Sequence, residues 1–225
     1  MTTIHSTPRN THFCVLLDRS GSMEAIRTDV VGGFNAFLAE QASAGDDARM
    51  TLVQFDGQDP NEVIVDHKRL GRVSSLTLGT FVPRGNTPLL DATAEIIDRA
   101  ARRERRRARA GKPAEEIVVV TITDGQENAS RRWTRDAVKN LISQKEREGW
   151  TFVFLSADLN AYDDAAALGY DVRSVQAWAP TPAGAAAAFK DVSRAARSRR
   201  EKVVACAPYD KDDFFEGQKE AEKLI

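Results

Sequence analysis

Asp18-Arg19-Ser20-Gly21-Ser22 sets a carboxylate and two hydroxyls at alternate positions directly after the apolar run 13–17. Thr87, in Gly85-Asn86-Thr87-Pro88, and Asp124, followed by Gly125 and preceded by EIVVVTIT, add a third hydroxyl and a second carboxylate. Every donor in this set is oxygen, with no thiolate or imidazole, and hard oxygen sets suit Mg²⁺, Mn²⁺ or Ca²⁺ rather than zinc or copper. Mg²⁺ takes only one or two protein carboxylates and keeps several waters. Hydroxyl ligands leave its charge incompletely neutralised, so an open coordination position would attract an anionic oxygen from outside. That is a device for capturing a carboxylate.

Residues so far apart in sequence can meet only if the fold brings them to one edge. The run 13–17 lacks polar alternation and reads as a strand covered on both faces. A helix follows over 24–41, with Ile26, Val30, Phe34, Phe37 and Leu38 on one stripe. Residues 50–55 and 62–65 are strands joined by a connection too short for a crossover helix, so they form an antiparallel hairpin whose second strand lies at an edge. Thr87-Pro88 opens the next helix, with threonine placed as N-cap and proline at the first helical position. The pattern continues as strand 116–123, helix 131–148, strand 151–155, short helix 162–168, strand 172–178 and helix 181–197. Such alternation predicts a doubly wound α/β fold: a mostly parallel six-stranded sheet in the order 3-2-1-4-5-6, strand three an antiparallel edge, with helices on both faces. Ligands of such sheets bind at the carboxyl ends of strands where the order reverses, between strands one and four, which are the strands that end in Asp18 and Asp124.

Asp-x-Ser-x-Ser after the first strand, a separate threonine, and Thr-Asp-Gly after the fourth resemble the metal-ion-dependent adhesion site (MIDAS) of the von Willebrand factor A (vWA) domain family. The likeness runs over about 13–200 and is closest to the family's intracellular bacterial or phage members. It implies that Asp18, Ser20 and Ser22 are first-loop ligands, Thr87 the second-loop ligand and Asp124 the third. It also implies a Mg²⁺-dependent protein–protein interaction module that docks the Asp or Glu of a partner, with AAA+ ATPases or stress-response complexes as the expected setting. Plainer roles exist for the same residues. Ser22 and Thr87 could be helix N-caps, each worth about 1 kcal/mol, and Asp124-Gly125 a turn. The competing activity is a Mg²⁺-dependent phosphatase or phosphotransferase with Asp18 as nucleophile. Ser20 stands where a haloacid-dehalogenase-type phosphatase has its acid/base aspartate, and no phosphate loop or nucleotide fingerprint is present. The expectation is therefore not an enzyme.

Thirty-three acidic against thirty-two basic residues give a net charge of −1, which speaks against a chain built wholesale for nucleic acid. No apolar run is long enough to span a membrane, and the first twelve residues lack a signal-peptide core, so a cytoplasmic location is expected. Cys14 and Cys206 then read as reduced thiols. His5, His12 and His67 share no zinc-site spacing and read as loop or surface residues. The arginines crowded into 99–109 read as a solvated helix end, with a basic docking patch for an acidic partner or nucleic acid as the alternative. Asp158 and Asn160, after the fifth strand, are candidates for the rim that meets the partner. The domain organisation expected is an N-terminal extension over 1–12, a vWA-like domain over 13–202 and an acidic, solvated tail over 203–225, whose Phe214-Phe215 is either a docking peptide or a cover for the domain's own surface.

Overall fold

A computed structural model describes residues 3–4, 10–158 and 160–225. Strand β1 (Thr11–Asp18) is buried at every position. It pairs in parallel with β2 (Ala48–Phe55) on one side and β4 (Glu116–Thr123) on the other. Strand β3 (Glu62–Arg69) pairs antiparallel with β2 at one edge, and β5 (Thr151–Ser156) and β6 (Val175–Ala177) extend the sheet in parallel beyond β4. The order β3-β2-β1-β4-β5-β6 is the expected one, and the antiparallel edge strand is where the short connection put it. The register aligns Asp18 with Phe55 and brings Leu17 opposite Ile122, so β1, β2 and β4 end together.

The period of two along β1 splits the core into two layers. Phe13, Val15 and Leu17 face α1 (Arg27–Ser43) and α5 (Pro182–Val204), packing with Val30, Phe34 and Phe189. Cys14 and Leu16 face the other layer with Ile96 and Ile97 of α2 (Leu89–Arg109), Val138 of α3 (Arg135–Arg147) and Leu168 of α4 (Ala161–Leu168). Helices α1 and α5 approach closely because position 33 carries no side chain: a Cβ there would lie 2.2 Å from the Phe189 ring. Both cysteines are free thiols. No helix among the described residues is long and apolar enough to cross a membrane.

Three local expectations are corrected. Strand β1 begins two residues before the apolar run, so His12 is a strand residue and is 1 % exposed. Helix α1 is preceded by a 3₁₀ turn, Gly21–Ile26, rather than starting at 24. The acidic C-terminal segment is not solvated throughout. Phe214 and Phe215 are 1 % and 2 % exposed, and with Ala221 they belong to the layer of α1 and α5. Tyr209–Asp210 pairs antiparallel with Thr3–Ile4, and Asp210 takes an ion pair from Arg173 at 2.9 Å. Of the two roles open to Phe214-Phe215, a docking peptide or a cover for the domain's own surface, their burial supports the cover. Truncating a fully buried phenylalanine removes its transfer free energy and leaves a cavity. Phe214→Ala should therefore lose about 3–5 kcal/mol of stability, read as a lower urea midpoint at unchanged m-value. A solvated tail would give no change.

Candidate functional site

Three loops meet above the carboxyl ends of β1 and β4, and backbone hydrogen bonds tie them. The Arg19 amide donates to the Phe55 carbonyl at 2.9 Å, the Gly21 amide to the Gly85 carbonyl at 3.0 Å, and the Arg84 amide to the Arg19 carbonyl at 2.8 Å. The first loop is thereby fastened to the loop that carries Thr87. The Thr87 loop is fastened in turn to the one after β4: the Thr87 amide donates to Asn128 Oδ1 at 2.8 Å, and the Asn128 amide to the Thr87 carbonyl at 3.1 Å.

The side chains converge inside this frame. Asp18 is fully buried. One of its carboxylate oxygens accepts from the Ser20 amide at 2.7 Å and the other from the Thr123 hydroxyl at 2.6 Å. Ser22 Oγ donates to Asp124 Oδ1 at 2.7 Å and lies 3.1 Å from Ser20 Oγ. A Cβ at position 125 would meet Ser22 Oγ at 3.4 Å and Thr87 Oγ1 at 3.5 Å, so glycine keeps open the side on which these two hydroxyls stand. All five expected residues are brought together.

The capping alternative does not hold. Helix α2 starts at Leu89, one residue later than expected, and no side chain of the residue before it caps it. Its free amides are met from elsewhere: that of Leu90 by Glu127 Oε2 at 2.8 Å and that of Asp91 by Ser130 Oγ at 3.1 Å. The Asp91 carboxylate accepts in return from the Arg131 and Trp133 amides, each at 2.9 Å. Thr87 Oγ1 is thus released from helix capping, and Ser22 spends its proton on Asp124. The segment 127–133 does the capping, a role that sequence reasoning missed; Glu127 and Ser130, in a polar stretch between a strand and a helix, were the signal.

Arg19, inside the first motif, turns away from the hydroxyls. It is 5 % exposed and donates to Asp56 Oδ2 at 2.6 Å and Gln54 Oε1 at 3.1 Å. Arg84 joins it on Asp56 at 2.9 Å. Burial alone would raise the Asp56 pKa. Donation from the Gln58 amide, Arg84, the Asp59 amide and Arg19 brings it below the usual carboxylate range instead. Arg19 and Asp56 brace the first two loops. The two rim candidates lie beside the cluster. Asp158 accepts from the Asn160 amide at 2.7 Å, and its charge adds to the burial that raises Asp124; Asn160 is exposed.

The electrostatics of Asp18 and Asp124 share one cause. Burial pushes Asp18 up to about 7 against the pull of its hydrogen bonds, and burial raises Asp124 as well. The groups that favour their ionised forms are hydrogen-bond donors, with no lysine or arginine among them.

No protein-family profile and no curated protein sequence matches the chain. Its fold is shared with solved structures at low identity. A von Willebrand factor type A protein from Catenulispora acidiphila is 16 % identical with a TM-score of 0.56, over 90 % of this chain and 44 % of its own. The pilus adhesin SpaC of Lactobacillus rhamnosus GG is 15 % identical at 0.60, over 91 % of this chain and 31 % of its own. The manganese-loaded TRAP protein of Plasmodium vivax is 11 % identical at 0.50, over 91 % and 74 %. The chain thus spans less than half the length of the Catenulispora and SpaC chains. These likenesses give it the vWA fold.

The raised Asp18 pKa has a measurable consequence in chelator. The folded state holds this proton more tightly than the unfolded chain, whose carboxyl titrates near 3.8. The Asp18 contribution is therefore most favourable below that value and is lost as pH rises towards about 7. Asp18→Asn removes the titration, and the Thr123 hydroxyl can turn to donate to the Gly125 carbonyl, 3.1 Å away. The variant should gain on the parent between pH 4 and 8, by of order 4 kcal/mol at most, in paired urea titrations. A constant difference across that range would contradict a buried, uncompensated Asp18.

Proposed function

We propose that the chain is a non-enzymatic protein-interaction module in which Asp18, Ser20, Ser22, Thr87 and Asp124 hold a divalent cation in a MIDAS-type site, Mg²⁺ in preference to Mn²⁺ or Ca²⁺. A partner's Asp or Glu completes the ion's shell. The observation that carries this reading is the convergence of Ser22 Oγ, Asp124 and Thr87 Oγ1 around Gly125, with neither hydroxyl used to cap a helix. The donor set is all oxygen, as a hard cation requires. The two raised carboxylates lack a cationic side chain among the groups that stabilise them, and a divalent ion supplies that charge. The fold neighbours agree in kind: the TRAP structure is manganese-loaded and SpaC is a pilus adhesin.

In this reading the chain's residues divide the work. Asp18, held by Ser20 and Thr123, fixes the inner side of the site. Ser20, Ser22 and Thr87 present neutral oxygens, which add no charge to that of the two carboxylates and leave an outer position to an anionic oxygen. A bound cation supplies the Lewis-acidic position at which an external carboxylate attaches. Asp158 and Asn160 lie where the rest of the partner would be read. An AAA+ ATPase or a stress-response complex in the cytoplasm is the partner class we propose, on the strength of the family resemblance.

Isothermal titration with Mg²⁺ and Mn²⁺ tests the site. The parent should bind one equivalent, and Thr87→Ala and Asp124→Asn should each weaken binding at least tenfold. Because Thr87 caps no helix, Thr87→Ala should keep its melting temperature in EDTA within a few degrees of the parent. Capture of an acidic partner should need Mg²⁺ and fail with Thr87→Ala. Equal metal affinity in parent and variants would overturn the assignment, and Mg²⁺-dependent turnover of a phosphomonoester that is lost in Asp18→Asn would replace it with catalysis.

A further inference from the structure

A second polar cluster lies at the opposite end of β1 from Asp18. His12 is buried on the same face of β1 as Cys14, with Nε2 2.9 Å from Thr51 Oγ1. The same hydroxyl accepts from the His67 amide at 3.1 Å. His67 lies where the β2–β3 register shifts, between the pairs Met50–Lys68 and Leu52–Val65, and its φ is +52°. A bulge in the left-handed region is costly for a residue with a side chain. Here it aims the imidazole inward. The two histidine rings meet edge to face with centroids 4.7 Å apart, and His67 Nε2 lies 2.9 Å from Glu115 Oε2. The side chains of His67 and Glu115 are only 8 % and 4 % exposed. One ligand atom from each of His12, His67 and Glu115 falls within 4.8 Å of the others. A cavity of about 360 Å³, lined by His12, Glu115, Arg103, Arg107 and Lys112, opens beside them.

We propose that His12, His67 and Glu115 form a three-ligand site for a borderline divalent transition metal, Zn²⁺ foremost, with its fourth position open to this cavity. Two imidazoles and one carboxylate with a free vertex make a tetrahedral zinc donor set. Tetrahedral bonds of about 2.0–2.2 Å set ligand pairs roughly 3.3–3.6 Å apart, so His67 Nε2 and Glu115 Oε2, 2.9 Å apart, part by about half an ångström, while the pairs spaced up to 4.8 Å close by about an ångström. Glu115 stands on the connection just before β4 and His67 on the bulge, the two places where such a shift costs least. Burial first, then His67 and the guanidiniums of Arg103, Arg107 and Arg49, hold His12 below the usual imidazole range. Those arginines oppose any cation, yet each has a carboxylate: Arg103 pairs with Asp66 at 2.8 Å, and Arg107 and Arg49 reach Glu115 at 3.1 and 3.9 Å. The ion must therefore gain from nitrogen ligation to displace them, which selects zinc-like metals over Mg²⁺ and Ca²⁺. The ends of β1 would then hold ions of different hardness.

Cobalt(II) reports such a site directly through the visible absorption of its tetrahedral complexes. The whole chain carrying Asp18→Ala, which disables the upper site, should take up one equivalent of Co²⁺ with tetrahedral bands, and Zn²⁺ should displace it. His67→Asn keeps a residue that tolerates positive φ and should weaken Co²⁺ binding at least tenfold with the chelator-treated melting curve little changed. Glu115→Gln should weaken it as well, so the result does not hang on one variant. Mg²⁺ at millimolar concentration should not displace the cobalt. No tetrahedral Co²⁺ species in the Asp18→Ala chain, or equal affinity with His67→Asn and Glu115→Gln, would overturn the proposal. Loss of the signal with Asp18→Ala alone would place the ion at the upper site and overturn it too.

Discussion

The buried Asp18 carboxylate, held by the Ser20 amide and the Thr123 hydroxyl, is the interaction on which the candidate site depends. It joins the end of β1 to the end of β4 across the point where strand order reverses, and it fixes the turn that presents Ser20 and Ser22. An ionised carboxylate in such a place is costly unless it is well hydrogen-bonded or paired with a cation. Here hydrogen bonds alone leave its pKa near 7, so the apo fold holds a charge it only partly compensates. A cation bound at this point would recover that cost. This makes metal binding and the stability of the loop cluster one problem.

The surrounding structure serves that carboxylate by relieving its neighbours of other duties. Glu127 and Ser130 take over the capping of α2, which frees Thr87. Arg19, Arg84 and Asp56 form a separate braced network on the β2 side, so the guanidinium within the first motif neutralises Asp56 rather than Asp18. The backbone bonds among Arg19, Gly21, Arg84 and Gly85 then lock the first and second loops in register. Two carboxylates and three hydroxyls face one another without a side-chain cation between them.

Much of this was legible in the sequence. Fully apolar strands announce a sheet covered on both faces, a short connection between 55 and 62 permits only a hairpin, and the strand–helix alternation is that of a doubly wound sheet, whose strand order sets Asp18 and Asp124 at neighbouring strand ends. Thr87 was harder to read, because Thr-Pro before an apolar periodic stretch is also a helix-start signal. Only the long-range bonds from 127–133 separate the two roles, and no local pattern encodes them. The C-terminal segment misled for a different reason: its acids and lysines mask two phenylalanines that fill the core. His12 and His67 carry no recognisable spacing because a parallel ladder and a bulge bring them together, and a polar edge strand gives no sign of the bulge.

A crystal grown with manganese and measured for anomalous scattering at the manganese edge tests the central claim most directly. The account predicts one strong peak bounded by Ser20, Ser22 and Thr87 hydroxyls and the Asp18 and Asp124 carboxylates, with direct oxygen ligands at roughly 2.0–2.6 Å. A cluster with no peak, in which Ser22 keeps its bond to Asp124 at saturating manganese, would contradict it.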